Sequence, residues 1–104
     1  QNADLTELTN NGYVYVWESY NQDGSYTGIY GQLYDANGSR VNEEFLVNTY
    51  TDNRQDNPSV ESLSDGFVVS WASKNQVSSN SNYDVISQKY DIYGNKIGQE
   101  VQIN

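Results

Sequence analysis

Gly12-Tyr13-Val14-Tyr15-Val16-Trp17-Glu18-Ser19 returns, 54 residues on, as Gly66-Phe67-Val68-Val69-Ser70-Trp71-Ala72-Ser73. In an extended chain successive side chains point to opposite faces. Tyr13, Tyr15 and Trp17 therefore share one side of a strand, and Val14 and Val16 the other. The second copy sets Phe67, Val69 and Trp71 against Val68 in the same way. A sheet with one wet face alternates apolar with polar residues. Both faces of this strand are apolar, which predicts that something covers each of them.

The match extends outward from this strand. Asn2–Leu8 (NADLTEL) aligns with Asn57–Leu63 (NPSVESL), and Ile29 through Gly38 aligns with Val85 through Gly94, including Gln32 with Gln88, Tyr34 with Tyr90 and Asp35 with Asp91. Val41, Glu44, Val47 and Asn48 match Ile97, Glu100, Ile103 and Asn104. The offset moves from 55 to 54 to 56, with the slack in loops. The chain is two tandem copies of one unit, 1–55 and 56–104. A unit of about 50 residues buries too little surface to stand alone, so the two are expected to fold as one cooperative body.

Each copy reads as four short strands: 3–8 and 58–63, 12–18 and 66–72, 28–35 and 84–91, 40–47 and 96–103. Asn10-Asn11-Gly12 and Ser64-Asp65-Gly66 suit tight hairpins with positive φ, and Asp35-Ala36-Asn37-Gly38 and Asp91-Ile92-Tyr93-Gly94 suit the turn before the last strand. The only proline, Pro58, is expected to open a strand, where its missing N–H costs least. No stretch carries a 3.6-residue apolar period. The expected fold is all-β: two tandem four-stranded antiparallel repeats resembling propeller blades, with a two-sheet β-sandwich as the alternative. Two blades cannot close a ring, so the chain is a fragment, or copies assemble, or its sheets pack face to face.

The pattern Gly-aromatic-Val-x-Val-Trp-x-Ser, then Gly-Ile-Tyr-x-Gln-x-Tyr-Asp-x-x-Gly, then Glu-x-x-Val-Asn resembles tandem β repeats of very large secreted bacterial surface proteins. Those proteins are adhesin-like or associated with haemolysin-type calcium-binding (RTX) segments. The resemblance runs from Asn2 to Asn104 and implies a propeller-like repeat at the cell surface. The second copy departs from it at Ser87 and Lys89, and the glycine-rich calcium-binding nonapeptide of RTX proteins is missing. A shared fold carries no activity with it.

Composition narrows the function. Aromatic residues reach 13%, far too many for a disordered chain, while hydrophobic residues are only 36%, so a thin core rests on a few large side chains. Five Lys plus Arg stand against fourteen Asp plus Glu, a net charge of −9, which disfavours nucleic acid and anionic membranes as partners. No apolar run approaches the ~20 residues of a membrane-spanning helix, and no charged-then-apolar leader opens the chain at Gln1. Without Cys or His there is neither a disulfide nor a Cys/His zinc site. The abundance of Asn and Ser suits an extracellular, surface-exposed protein.

Chemistry-bearing residues are few. Glu44 and Glu100 recur between copies, as do Asp35 and Asp91, and paired carboxylates are what a glycoside hydrolase needs. Asp before x-x-Gly is more simply a turn residue accepting backbone N–H groups, and Glu on a strand a solvated one. Asp23, Asp35 and Asp91 are weak calcium candidates, since calcium wants six to eight oxygens and Asn21–Ser25 lacks the alternating acids of a calcium loop. Tyr20, Tyr26, Tyr50 and Tyr83, set among Asn and Asp in loops, could stack on sugar rings. Asn37-Gly38-Ser39 is an N-glycosylation sequon at a turn tip. Trp17 and Trp71 are read as equivalent buried core anchors. The expected function is an extracellular structural or adhesive repeat module, without cofactor or catalytic set, whose partners are other copies or neighbouring repeats. A carbohydrate-binding module is the alternative, and a hydrolase comes last.

Overall fold

The computed structural model describes residues 3–20, 27–48, 55–74 and 83–103, and at positions 20, 27, 55, 56, 74 and 83 the backbone alone. These residues form eight strands and no helix: β1 (Ala3–Glu7), β2 (Tyr13–Tyr20), β3 (Thr27–Tyr34), β4 (Arg40–Leu46), β5 (Gln55–Leu63), β6 (Gly66–Lys74), β7 (Tyr83–Asp91) and β8 (Lys96–Gln102). They make two four-stranded antiparallel meanders, β1-β2-β3-β4 and β5-β6-β7-β8. The fold is all-β, with one sheet per repeat. The two sheets stack on each other, and no closed ring is present among the described residues.

The turns follow local chemistry, with one correction. Asn11 adopts φ 69°, and the Asn10 side-chain oxygen accepts the Gly12 N–H at 2.9 Å. Gly38 and Gly94 have φ of 85° and 87°, as their turns require. The Ser64–Asp65 turn differs from expectation, because neither residue, nor Gly66, has positive φ. Gly66 is needed for close approach instead: a Cβ there would collide with the Tyr90 carbonyl oxygen, and a Cβ on its counterpart Gly12 would lie 2.5 Å from the Tyr34 carbonyl oxygen.

Pro58 does not open its strand. β5 begins at Gln55, and the register shifts between Asp56 and Ser59, with Asn57 at φ 56°. Pro58 thus sits in a bulge on an edge strand, a place where a ladder hydrogen bond is already missing. A second kind of bulge occurs identically in both sheets. It lies in β4, where Asn42 (φ 62°) and the two residues after it face the position between Gly31 and Leu33, and in β8, where Gly98 (φ 72°) and the two residues after it face the position between Ser87 and Lys89. The single residue facing each bulge is the repeated glutamine. The buried Gln32 amide donates to the carbonyls of Leu33, Val41 and Asn42 at 3.0, 3.3 and 3.0 Å. Gln88 donates to those of Lys89, Ile97 and Gly98 at 3.1, 3.4 and 3.1 Å. A side-chain amide thereby satisfies carbonyls that the interrupted ladder leaves over.

The core lies between the sheets, and the two copies face it with opposite sides. In the first sheet Val14 pairs with Leu33 and Val16 with Gly31, and these positions, with Ile29, are buried. Val41 and Phe45 of β4 pack beside them. In the second sheet the buried residues are Val60, Phe67, Val69, Trp71, Ile86 and Tyr90. By the repeat alignment Trp71 corresponds to Trp17, not to Val16. The sheets therefore stack face to back, with the valine side of one copy against the tryptophan side of the next. Phe45 reaches Tyr90 across the gap at a ring separation of 5.5 Å, and Leu33 lies against Gly94. The approach is closest from β5 to β1, β2 and β3. There the Val60 N–H donates to the Asp4 carboxylate at 3.0 Å and the Asn57 N–H to the Glu18 carboxylate at 3.0 Å. These charge-assisted bonds tie the outer edge of β5 to the first sheet.

Candidate functional site

Among the described residues, face-to-back stacking leaves one broad face of each sheet uncovered. On the first sheet this face carries Leu5, Tyr13, Tyr15, Trp17, Tyr30 and Tyr34, brought together because Leu5 pairs with Tyr15, Trp17 with Tyr30 and Tyr13 with Tyr34. The rings organise one another. Tyr15 stacks on Trp17 at 5.4 Å with 27° between planes, and Trp17 stacks on Tyr30 at 6.3 Å with 24°. Tyr30 is buried beneath its neighbours, whereas Leu5 is 55% and Tyr15 38% exposed. A shallow depression of ≈ 370 Å³ is lined by Ala3, Tyr15, Trp17, Glu18 and Tyr34.

Trp17 is accordingly not the buried anchor expected from its position. Trp71 is 1% exposed, with its neighbours Phe67 and Tyr90 stacked at 4.8 Å, while Trp17 is only partly buried and borders the open depression. The two indoles occupy equivalent positions in their sheets. They differ because a second sheet covers one and none of the described residues covers the other.

The remaining candidates fall elsewhere. The Asp35 carboxylate accepts the Asn37 and Ser39 N–H groups at 2.9 and 3.0 Å. Asp91 accepts those of Tyr93 and Asn95 at 2.9 and 3.0 Å, and the Asn95 side-chain amide at 3.2 Å. Both aspartates thus act within their own turns. The bond from the Asn95 backbone, foremost, holds the Asp91 carboxyl below its usual range against a smaller opposing effect of desolvation, and the Asn95 side chain and the Tyr93 and Gly94 backbones add to it. Glu44 and Glu100 lie on β4 and β8, in different sheets. Among the described residues no three acidic groups gather as a metal site would require. Asn37 is exposed at its turn tip. Asp23, Tyr26 and Tyr50 lie outside the described residues, as do the side chains of Tyr20 and Tyr83, whose backbones end β2 and open β7. Among the described residues, the aromatic side chains brought together are strand residues. Alternation in Tyr13-Val14-Tyr15-Val16-Trp17 places the tyrosines and tryptophan on one side, but nothing in it says that this side stays open.

The uncovered face of the second sheet is different in character. It carries Val68, Ala72, Val85, Lys89, Ile97 and Val101, paired as Val68 with Lys89, Ala72 with Val85, Ser87 with Val101 and Lys89 with Ile97. Val85, Ile97 and Val101 are 36%, 42% and 58% exposed. One end of the stack is aromatic, the other aliphatic with a lysine.

Tyr90 is the strongly perturbed acid among the described residues. Burial, and secondarily the nearby Glu100 charge, raise its phenol far above the ordinary range, and its hydroxyl has no hydrogen-bond partner among the described residues. It lies buried in the core against Phe45 and Phe67, so its part is in packing.

No protein-family model matches the chain, nor does any curated protein or solved structure.

Proposed function

We propose that this chain is a structural or adhesive repeat module of an extracellular protein, built of blade-like sheets and working through protein contacts rather than catalysis. The observation that supports it is the face-to-back stack. A unit that packs the back of one copy on the front of the next has two unlike open faces, and such a unit extends by repetition. Its acidic surface keeps the stacked units soluble, and its recurring aspartates and glutamines are committed to turns and bulges. The test is particle size: electron micrographs of concentrated protein should show particles longer than one chain, and uniform single-chain particles would count against the reading.

A second reading has its own observation. Stacked, partly exposed aromatic rings form a surface on which sugar rings can lie, and Tyr15, Trp17 and Tyr34 border such a depression. A glycan array with Trp17 fluorescence as readout tests it, and a saturable change in emission would favour it over assembly.

A further inference from the structure

The faces that no described residue covers are the repeat counterparts of the two sides of the interface inside the chain. The aromatic face of the first sheet is the repeat counterpart of the covered face of the second: Leu5 answers to Val60, Tyr13 to Phe67, Tyr15 to Val69, Trp17 to Trp71, Tyr30 to Ile86 and Tyr34 to Tyr90. The aliphatic face of the second sheet answers in turn to the surface that does the covering. Val68, Val85, Ile97 and Val101 stand where Val14, Ile29, Val41 and Phe45 stand in the first.

We infer that a second copy of this chain lays its Val68–Val85–Ile97–Val101 face on the Tyr15–Trp17–Tyr30 face of the first, so that copies join head to tail through a repetition of the intrachain stack. This inference rests on the structural-module reading and names its partner and joint. Charge agrees with the registration. Within the chain Leu33 packs against Gly94, in the turn begun by Asp91. The counterpart of Leu33 is Lys89 and that of the Gly94 turn is the Asp35–Gly38 turn. The same stacking between copies brings the exposed Lys89 of one chain to the exposed Asp35 of the next. The joint is weaker than the internal one for a specific reason. Ser59 and Ala72 replace Asp4 and Glu18, the carboxylates that accept backbone N–H groups of β5. Four strands ~4.8 Å apart and about eight residues long offer a face of roughly 20 × 25 Å. That buries on the order of 1,000 Å² in all, the low end for a specific contact, so association at tens to hundreds of micromolar is the expected regime, roughly.

The experiment uses the whole chain and two surface variants. Tyr15→Lys blocks the aromatic face and Val101→Lys the aliphatic one. Both sites are exposed, at 38% and 58%, and both changes lower the net negative charge of −9, so lost association cannot come from added repulsion. Unchanged melting curves confirm that each variant folds. Sedimentation velocity from about 10 μM to 1 mM should show the parent chain growing into a series of species. Each variant alone should stay monomeric, and an equimolar mixture of the two should form dimers and nothing larger, since only one productive joint remains. Association of either variant by itself would overturn the head-to-tail joint while leaving the module reading standing. A parent chain monomeric throughout, or a saturable oligosaccharide effect on Trp17 in such a monomer, would overturn both.

Discussion

Truncating the two tryptophans separately asks directly whether the sheets stack face to back. Trp71 is 1% exposed, packed in the core beneath the first sheet. Its replacement by Ala loses about 2 kcal/mol of transfer free energy and leaves an enclosed cavity. At ~24 cal/mol per Å³, about 100 Å³ of unrelaxed space adds roughly 2.4 kcal/mol. The expected cost is 4–5 kcal/mol, approximately, a large part of the 5–15 kcal/mol that holds a typical domain folded. Trp17 borders an open depression, so its removal leaves a space that water enters and that Tyr15 can collapse into. The cavity contribution drops out, and about 2 kcal/mol remains. Urea unfolding at concentrations where the chain is monomeric measures the difference. With a slope near 2 kcal/mol per M, Trp71→Ala should lower the midpoint by about 2 M and Trp17→Ala by about half that. Equal midpoints for the two variants would mean that the two indoles share one environment, and the face-to-back arrangement would be wrong.

Gln88→Leu should cost about 1–3 kcal/mol in the same assay, because it strips the donor from the Lys89, Ile97 and Gly98 carbonyls at the bulge, and a cost near zero would show that water serves them equally well. The Asp91 carboxyl is held below its ordinary range, so the stability it contributes is present above the unfolded value near pH 4 (about 3.9) and is lost as pH falls through the lower folded value. Carbon-detected NMR titration should find its midpoint below that of a free aspartate, and a midpoint at or above it would remove the turn hydrogen bonds as the cause. Tyr90 acts in the opposite sense: its raised phenol stabilises the fold below the unfolded value of about 10, and that contribution fades as pH rises beyond it. Ultraviolet titration should show one tyrosine ionising only together with alkaline unfolding, and simple titration of every tyrosine in the folded state would contradict its burial.

Much of the architecture was legible in the residues. The recurrence of Gly12–Ser19 as Gly66–Ser73 determined that there are two copies, and strand alternation with glycine-marked turns determined that each is a four-stranded meander. Such signals are local: they depend on neighbouring side chains and on backbone angles that a few residues set for themselves. Asp35 and Asp91 were readable as turn residues for the same reason. Gln32 and Gln88 recurred visibly, but their role was hidden, because the carbonyls they satisfy belong to a bulge formed with the next strand. The need for glycine at position 66 was misread as a matter of φ, since the obstacle is the backbone of β7, 24 residues away. The side of each sheet that meets the core was beyond the sequence altogether. Val14 and Val16 are as apolar as Phe67 and Val69, so alternation offered two equally hydrophobic faces and no means of choosing. Only the packing of one whole sheet on another decides which is covered. That choice buries Trp71 and leaves Trp17 only partly buried, at the rim of a face that none of the described residues covers.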